Sequence, residues 1–289
     1  MKRISILTAV FENPVGLQTT VDSLLPLFEK TKAISLEVEY IVLDSSPELH
    51  QEIIKNLEAK VAENKKITLK HLRLPKNGIY AAFNEGIRSS TGDYIWFLNG
   101  GDKAGDIENL LRLFAVIGSS QNREPKLFFS ATALYKRGQF QYVQWPSSNF
   151  MSNLIGSNKL CHQSVFYSRS CFDQNGVFRE NLPLAADYEF HLRLAKAEVQ
   201  ATYVPEITSQ YDMSGQSSNY KLAFQEFRRI QHEQKDSPSL SAMHAICYQF
   251  EKNRVRFYKA LSKSFIGEPL SKLRLFLKKN TKQDLRGSH

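Results

Sequence analysis

The sequence predicts an α/β fold: a Rossmann-like, mostly parallel central sheet flanked by helices, followed by a helical C-terminal region. Three observations predict it. The first half alternates short apolar runs with stretches of helical spacing, and polar residues and glycines gather where each run ends. With 42% hydrophobic and 23% charged residues in 289, the chain has enough apolar side chain for one large domain, or for one domain with an appendage.

The elements follow in order. "RISILTAVF" (3 to 11) reads as a first strand, and "LQTTVDSLLPLF" as a helix with Leu17, Val21, Leu24 and Leu25 on one face. "LEVEYIVLDSS" (36 to 46) is a second strand, followed by a helix that Pro47 suits in its first turn. "ITLKHLRL" (67 to 74) is a third, leading through "PKNG" into the helical "IYAAFNEGIRSS". "TGDYIWFLNGGD" supplies a fourth, with the helix "DIENLLRLFAVIG" behind it. Strands separated by helices pair in parallel through right-handed crossovers, and such sheets bind ligands outside the carboxyl ends of their strands. "TAVFEN", "DSS", "PKNG" and "NGGD" all arrive at that rim. There is no GxGxxG after the first strand and no GxxxxGK[ST] anywhere, so neither a dinucleotide fold of the usual kind nor a P-loop is supported.

From about residue 126 the pattern changes. A hairpin is expected around "KRGQ", a strand at "HQSVFYS", a helix at "DYEFHLRLAKAEV" with Asp187 as its N-cap, and a strand at "QATYVPEITSQYD". The stretch from 218 to 282 reads as helical and basic. Within it, "NRVRFYKALSKSFIGEPLSKLRLFLKKNTK" (253 to 282) suits either a helix on an anionic membrane surface or one packed on the domain. The final "RGSH" (286 to 289) is set aside as a tag-like tail.

Charge and cysteines narrow the partners. Thirty-eight Lys and Arg against 29 Asp and Glu, a formal +9, favour anionic partners: nucleotides, lipid headgroups or nucleic acid. No nucleic-acid reader motif is present, so no nucleic acid is expected. Cys161, Cys171 and Cys247, without CxxC spacing, point to reduced, mostly buried thiols rather than a disulfide framework or a zinc site. The N-terminus lacks a signal peptide's apolar stretch and no run of 18 apolar residues occurs, so a cytoplasmic protein is expected.

"FLNGGD" (97 to 102) raises the chemical question. An acid with two glycines at a strand end is either ordinary turn chemistry, with a solvent-facing Asp102, or a loop that lets phosphate oxygens approach while Asp102 faces them or their metal ion. "EYIVLDSS" ends on Asp44, which can accept a nucleobase N–H or cap a helix at 47. Tyr80 and Asn84 lie one turn apart, where one lines the site or both pack under it. Strand alternation lets only one of His162 and Gln163 face the cleft. Asp187, partly desolvated, is expected to have a raised pKa, and Glu189, two residues later, is its nearest competitor.

Together, "SILTAVFEN", "EYIVLDSS", "NGIYAAFNEGIRSSTGDYIWFLNGGD", "CHQSVFYSR", "AADYEFHLRL" and "YDMSGQSS" resemble the bacterial family 2 glycosyltransferases of the GT-A fold, over roughly residues 1 to 217. The third piece is similar to the family's NGIYDAMNKGI, a short gap, G-D/E-Y and FLN-x-x-D. The resemblance implies a GT-A domain over 1–217, with a nucleotide-sugar half (1–125) and an acceptor half (126–217), then a basic helical region over 218–285. It implies an inverting transferase of capsule, exopolysaccharide or O-antigen assembly, with a UDP-sugar or GDP-sugar donor and a saccharide or lipid-linked acceptor at the inner membrane face. Thr8, Ala9, Phe11, Asp44, Asn77, Gly78, Tyr80, Asn84, Asn99, Gly100 and Gly101 would bind the donor, Asp102 a divalent cation (Mg2+ or Mn2+), and His162 or Gln163 the acceptor or diphosphate. Asp187 would be the base. The family commonly has Asp where Ala81 stands, and often two acids where Gly101 and Asp102 stand. Those losses leave open a sugar-nucleotide-binding protein without catalysis.

Overall fold

In a computed structural model the described residues are 2–48, 50–120, 124–146, 160–214 and 220–233. They form one compact unit spanning residues 1–234, built on a nine-stranded sheet. β1 (Lys2–Val10), β2 (Leu36–Asp44), β3 (Ile67–Arg73) and β4 (Tyr94–Phe97) pair in parallel in the order β3-β2-β1-β4, as the alternation predicts. Helices α1 (Pro14–Thr31), α2 (Gln51–Val61) and α3 (Ile79–Ser89) are the crossovers. After β5 (Lys103–Ala104) and α4 (Ile107–Ser119), the sheet becomes mixed. β8 (Val165–Ser168) inserts antiparallel between β4 and β6 (Lys126–Lys136), and β9 (Gln200–Asp212) lies parallel to β6 and antiparallel to β5. β7 (Gln139–Gln144) closes the expected hairpin on β6.

Side chains alternate across the pleat and supply two cores. Val38, Tyr40 and Val42 of β2 and Tyr94 and Trp96 of β4 face α1, α2 and α4. Ile41 and Leu43, with Ile95 and Phe97, face α3, α5 (Arg169–Asn175) and α6 (Ala186–Lys196). The apolar runs of β1, β2 and β4 are therefore long because both faces are covered. α7 (Tyr220–Glu233) lies against this second core: Ile230 is buried in it and Phe227 meets Tyr188 edge-on at 4.8 Å. The expected 218–285 region is thus described only through α7, and the amphipathic stretch 253 to 282 and Cys247 lie outside the described residues.

Candidate active site

The acid loop is built by continuing strand pairing past the end of β4. Leu98 N donates to Leu7 O and Gly100 N to Ala9 O, each at 3.0 Å, which draws 98–100 along β1. A Cβ on Gly100 would stand a tight 3.3 Å from the Ala9 carbonyl and from Val10, and Gly101 has φ +114°, a conformation that favours glycine. Thr20, on α1, locks the turn: its hydroxyl donates to Asp102 O (2.7 Å) and accepts from Gly101 N (2.9 Å). Asp102 is not the solvent-facing turn acid. Its side chain points inward, 4% exposed.

Two acids meet one short turn. His162–Ser164 form a 3-10 turn rather than the start of the expected strand. At 3.0 residues per turn, consecutive side chains diverge by about 120° instead of alternating up and down, so both His162 and Gln163 face the site and the one-or-other expectation is corrected. Gln163 Nε2 donates to Asp102 Oδ2 at 2.9 Å; His162 Nδ1 lies 3.2 Å from Asp187 Oδ2. His162 Nε2 is 3.2 Å from Asn99 Nδ2 in the acid loop. The Gln163 carbonyl accepts from Trp96 Nε1 (2.7 Å), which pins the turn to β4. The second oxygens are also held, Asp102 Oδ1 by Asp212 N (3.2 Å) and Asp187 Oδ1 by Tyr188 N (2.8 Å).

The two carboxyls are tuned in opposite directions. Burial pushes Asp102 up to about 6, against the pull of the Gln163 hydrogen bond and the His162 ring. Burial also acts to raise Asp187, but the hydrogen bonds from His162 and the Tyr188 amide, with the two neighbouring imidazoles, outweigh it and hold the carboxyl below its ordinary value. The raised pKa expected for Asp187 is therefore corrected: it is kept ionised. So is its capping role, since Ala185 is the N-cap and Asp187 lies inside α6. The cap comes from Glu226 on α7, whose Oε2 accepts from Leu184 N and Ala185 N at 2.9 Å each. Glu189, the competing acid, is bound by Arg193 Nε through both oxygens at 3.0 Å and is a structural clasp. Burial lifts the Cys161 thiol to about 12, with both Asp187 and Asp102 adding to the shift, so it is no nucleophile. Neither Cys161 nor Cys171 is in a disulfide.

The other expected residues divide. Asp44 is fully buried: Oδ1 accepts from Ser46 N (3.0 Å), while Oδ2 takes His50 N (3.1 Å) and lies near His50 Nδ1 (2.9 Å) and His71 Nε2 (3.2 Å). Burial alone would raise it, yet the Ser46 and His50 bonds hold it at about 2. It caps no helix at 47, since α2 begins at Gln51 and Pro47 precedes it. Asn84 does not line the site; its amide clamps Phe178 N, Phe178 O and Glu180 at 2.9 to 3.0 Å. Tyr80 packs on Phe178 at 5.4 Å, and burial together with the neighbouring Asp187 charge raises its phenol well above the ordinary value. Thr8 is buried within β1 opposite Val42, beneath the rim, and the Ala9 carbonyl is taken by Gly100. Phe11 carries the Lys76 ammonium 3.9 Å over its ring, which ties the first rim loop to "PKNG". Asn77 and Gly78 are exposed before α3.

Sequence reasoning missed Thr20, Glu226, His50 and His71. All act across 6 to 82 residues of chain, and no local pattern marks them. A cavity of about 510 Å³ opens beside the first two strand ends, lined by Glu12, Glu48 and Glu52 among others. Three carboxylates suit no diphosphate, and neither site acid lines it.

Asp102 fits a nucleotide-bound divalent cation at one point. It is a buried oxygen donor whose two oxygens each accept one hydrogen bond and keep a lone pair, and Asn99 Oδ1 in the same loop is buried with no partner among the described residues. Mg2+ is commonly held by one or two carboxylates, with phosphate and water completing the shell. Among the described residues no group of three or more His, Cys, Asp or Glu could hold a metal ion unaided.

A parallel half-sheet whose strand-end loops gather one acid from the sheet rim and one from a facing helix defines a GT-A glycosyltransferase architecture, and residues 5–115 match the family model "Glycosyl transferase family 2". Curated relatives include the PGL/p-HBAD biosynthesis glycosyltransferases of Mycobacterium bovis and Mycobacterium tuberculosis, 27% identical over 143 residues, 49% of this chain and 54% of theirs. The chain spans about half the length of the curated relatives it matches. Among solved structures, S. aureus TarS 1-349 in complex with UDP superposes with a TM-score of 0.59 at 16% identity, covering 93% of this chain and 77% of that one. A Pyrobaculum calidifontis mannosyltransferase in complex with GDP-Man and Mn2+ gives 0.57 at 13% identity, covering 96% and 80%. At such identities these likenesses speak for the fold alone. Among the described residues no helix is long and apolar enough to cross a membrane.

Proposed function

We propose that the protein is an inverting glycosyltransferase that moves a sugar from a nucleoside-diphosphate sugar to a saccharide acceptor, lipid-linked, in surface polysaccharide assembly. One observation carries the reading: successive residues, His162 and Gln163, hold Asp187 and Asp102, so an ionised carboxylate and an acid-bearing, glycine-lined loop are fixed about a single turn. Asp187 takes the proton of the acceptor hydroxyl. The freed oxygen bonds to the anomeric carbon as the bond to the diphosphate breaks on the opposite side, and the departing diphosphate lies along 99–102. A divalent cation on Asp102 would supply Lewis-acid stabilisation of that charge. The basic stretch 253 to 282 would bring the enzyme to an anionic membrane surface at the inner leaflet. The Mn2+ and GDP-Man in one structural neighbour, and UDP in another, support a nucleotide-sugar donor without choosing its base.

The test is a thermal-shift panel of UDP-, GDP- and CMP-sugars with and without Mg2+ or Mn2+, because a ligand bound only by the folded state raises its apparent stability. One UDP- or GDP-sugar is expected to raise Tm selectively, and more so with metal. A flat panel across all donors would remove the reading.

A further inference from the structure

Resting on that reading, we propose that His162 is the positioning residue of the base. Asn99 fixes its tautomer, and the resulting Nδ1–H holds and aims the Asp187 carboxylate.

The argument is one of donors and acceptors. An amide nitrogen donates only, so Asn99 Nδ2, 3.2 Å from His162 Nε2, requires that ring nitrogen to present its lone pair. The ring proton then sits on Nδ1, 3.2 Å from Asp187 Oδ2. Turning the Asn99 amide over would place its oxygen at Nε2 and demand a second ring proton, so amide and imidazole must change together. In the first arrangement Asn99 Oδ1 is the buried oxygen without a partner among the described residues, free for a donor from the sugar nucleotide or its cation. Both imidazole nitrogens are committed inside the protein, which leaves none for diphosphate or acceptor. Phe83 meets the ring edge-on at 5.9 Å and limits its rotation.

The groups that face Asp187 are few. From α3 comes the Tyr80 phenol, from β8 the Tyr167 phenol, and from the turn the Cys161 thiol; burial and the Asp187 charge keep all three protonated and neutral. On its own helix stand the Tyr188 amide and His191, which burial lowers to about 4 and keeps neutral above that pH. Beside the bond that the protonated Tyr80 phenol donates to the same carboxylate, the His162 N–H sets the carboxylate's direction and its readiness to take a proton. It also ties the base to the FLNGGD loop, so the two halves of the site are ordered as one.

The experiment compares the full chain with H162F, which keeps ring bulk but neither nitrogen, and H162N, whose amide stands near Nδ1 and can donate to Asp187. With the donor found in the panel, H162F is expected to move the acidic limb of the kcat profile up by about one pH unit and to lower kcat at neutral pH by at least about tenfold. The donor KM should stay within about twofold, and H162N should restore most of the limb's position. An unmoved limb in H162F, or a donor KM raised about tenfold with kcat unchanged, overturns the proposal in favour of a structural role or a diphosphate contact. A second readout needs no turnover: 15N spectra of the His-labelled full chain should show His162 protonated at Nδ1 and bare at Nε2, and the opposite tautomer overturns the proposal. If no donor or acceptor is ever turned over, the transferase reading fails while the spectrum still decides the tautomer.

Discussion

Asp102 and Asp44 show what a single carboxyl does to this molecule at opposite ends of the tuning range. Against burial, which alone would raise it, Asp44 is held at about 2 by the Ser46 hydroxyl and amide and by His50, and its ionised form stabilises the fold above pH 4, with that contribution lost as pH falls through 2. Asp102 is raised from an ordinary 3.8 to about 6, so the folded state binds the proton more tightly than the unfolded chain. Its contribution has the other sign: full below about pH 4 and lost as pH rises through 6, a cost of up to about 3 kcal/mol when ionised, at 1.36 kcal/mol per unit. D102N is accordingly expected to be more stable than the wild type at pH 8 by up to that amount, and no more stable at pH 4, by urea unfolding at the two pH values. A difference that does not vary with pH would show that Asp102 carries no such strain. Such a buried, unneutralised acid suits a site that waits for a cation. All three acids were legible in the sequence because strand ends and helix starts mark them. Their electrostatics were not, since the bonds that set them, from His162 to Asp187 and from Ser46 and His50 to Asp44, are made only once the chain is folded.

Individual elements position these residues through contacts that span the chain. α6 carries Asp187, yet no side chain in its own first turn caps it; Glu226 on α7 satisfies two amides at its start, and Phe227 packs on Tyr188. E226A should therefore cost about 1–3 kcal/mol by leaving buried N–H groups unpaired, and should lower kcat while the thermal shift given by the sugar nucleotide stays at its wild-type size. If both donor shift and turnover were unchanged, α7 would have no part in setting the base. The same dependence explains why Asp187 reads as an N-cap in the sequence: Asp before an apolar helical pattern is the local signal, and a cap supplied from 41 residues downstream leaves none. The parallel half was readable element by element, since strand and helix periods alternate cleanly there. "HQSVFYS" misled because a short apolar run, Val165 to Tyr167, gives no hint that a tight 3-10 turn precedes it or that β4 and β6 lie on either side of it.

Across the whole molecule, that inserted strand joins the two halves the sequence suggests. β8 is hydrogen-bonded to β4 on one edge and β6 on the other, so the described residues on either side of residue 125 share one sheet and one pair of cores. The site exists because of it: the chain leaves the 3-10 turn directly into β8, which carries His162 and Gln163 to the rim where β4 delivers Asn99 and Asp102. The central claim is that this rim is a two-acid transfer site, and the release of nucleoside diphosphate from the sugar nucleotide selected by the stability panel tests it most directly. D187N should keep the donor-induced rise in Tm and lose at least about a hundredfold in release rate. D187N turning over the donor at the wild-type rate would contradict the account.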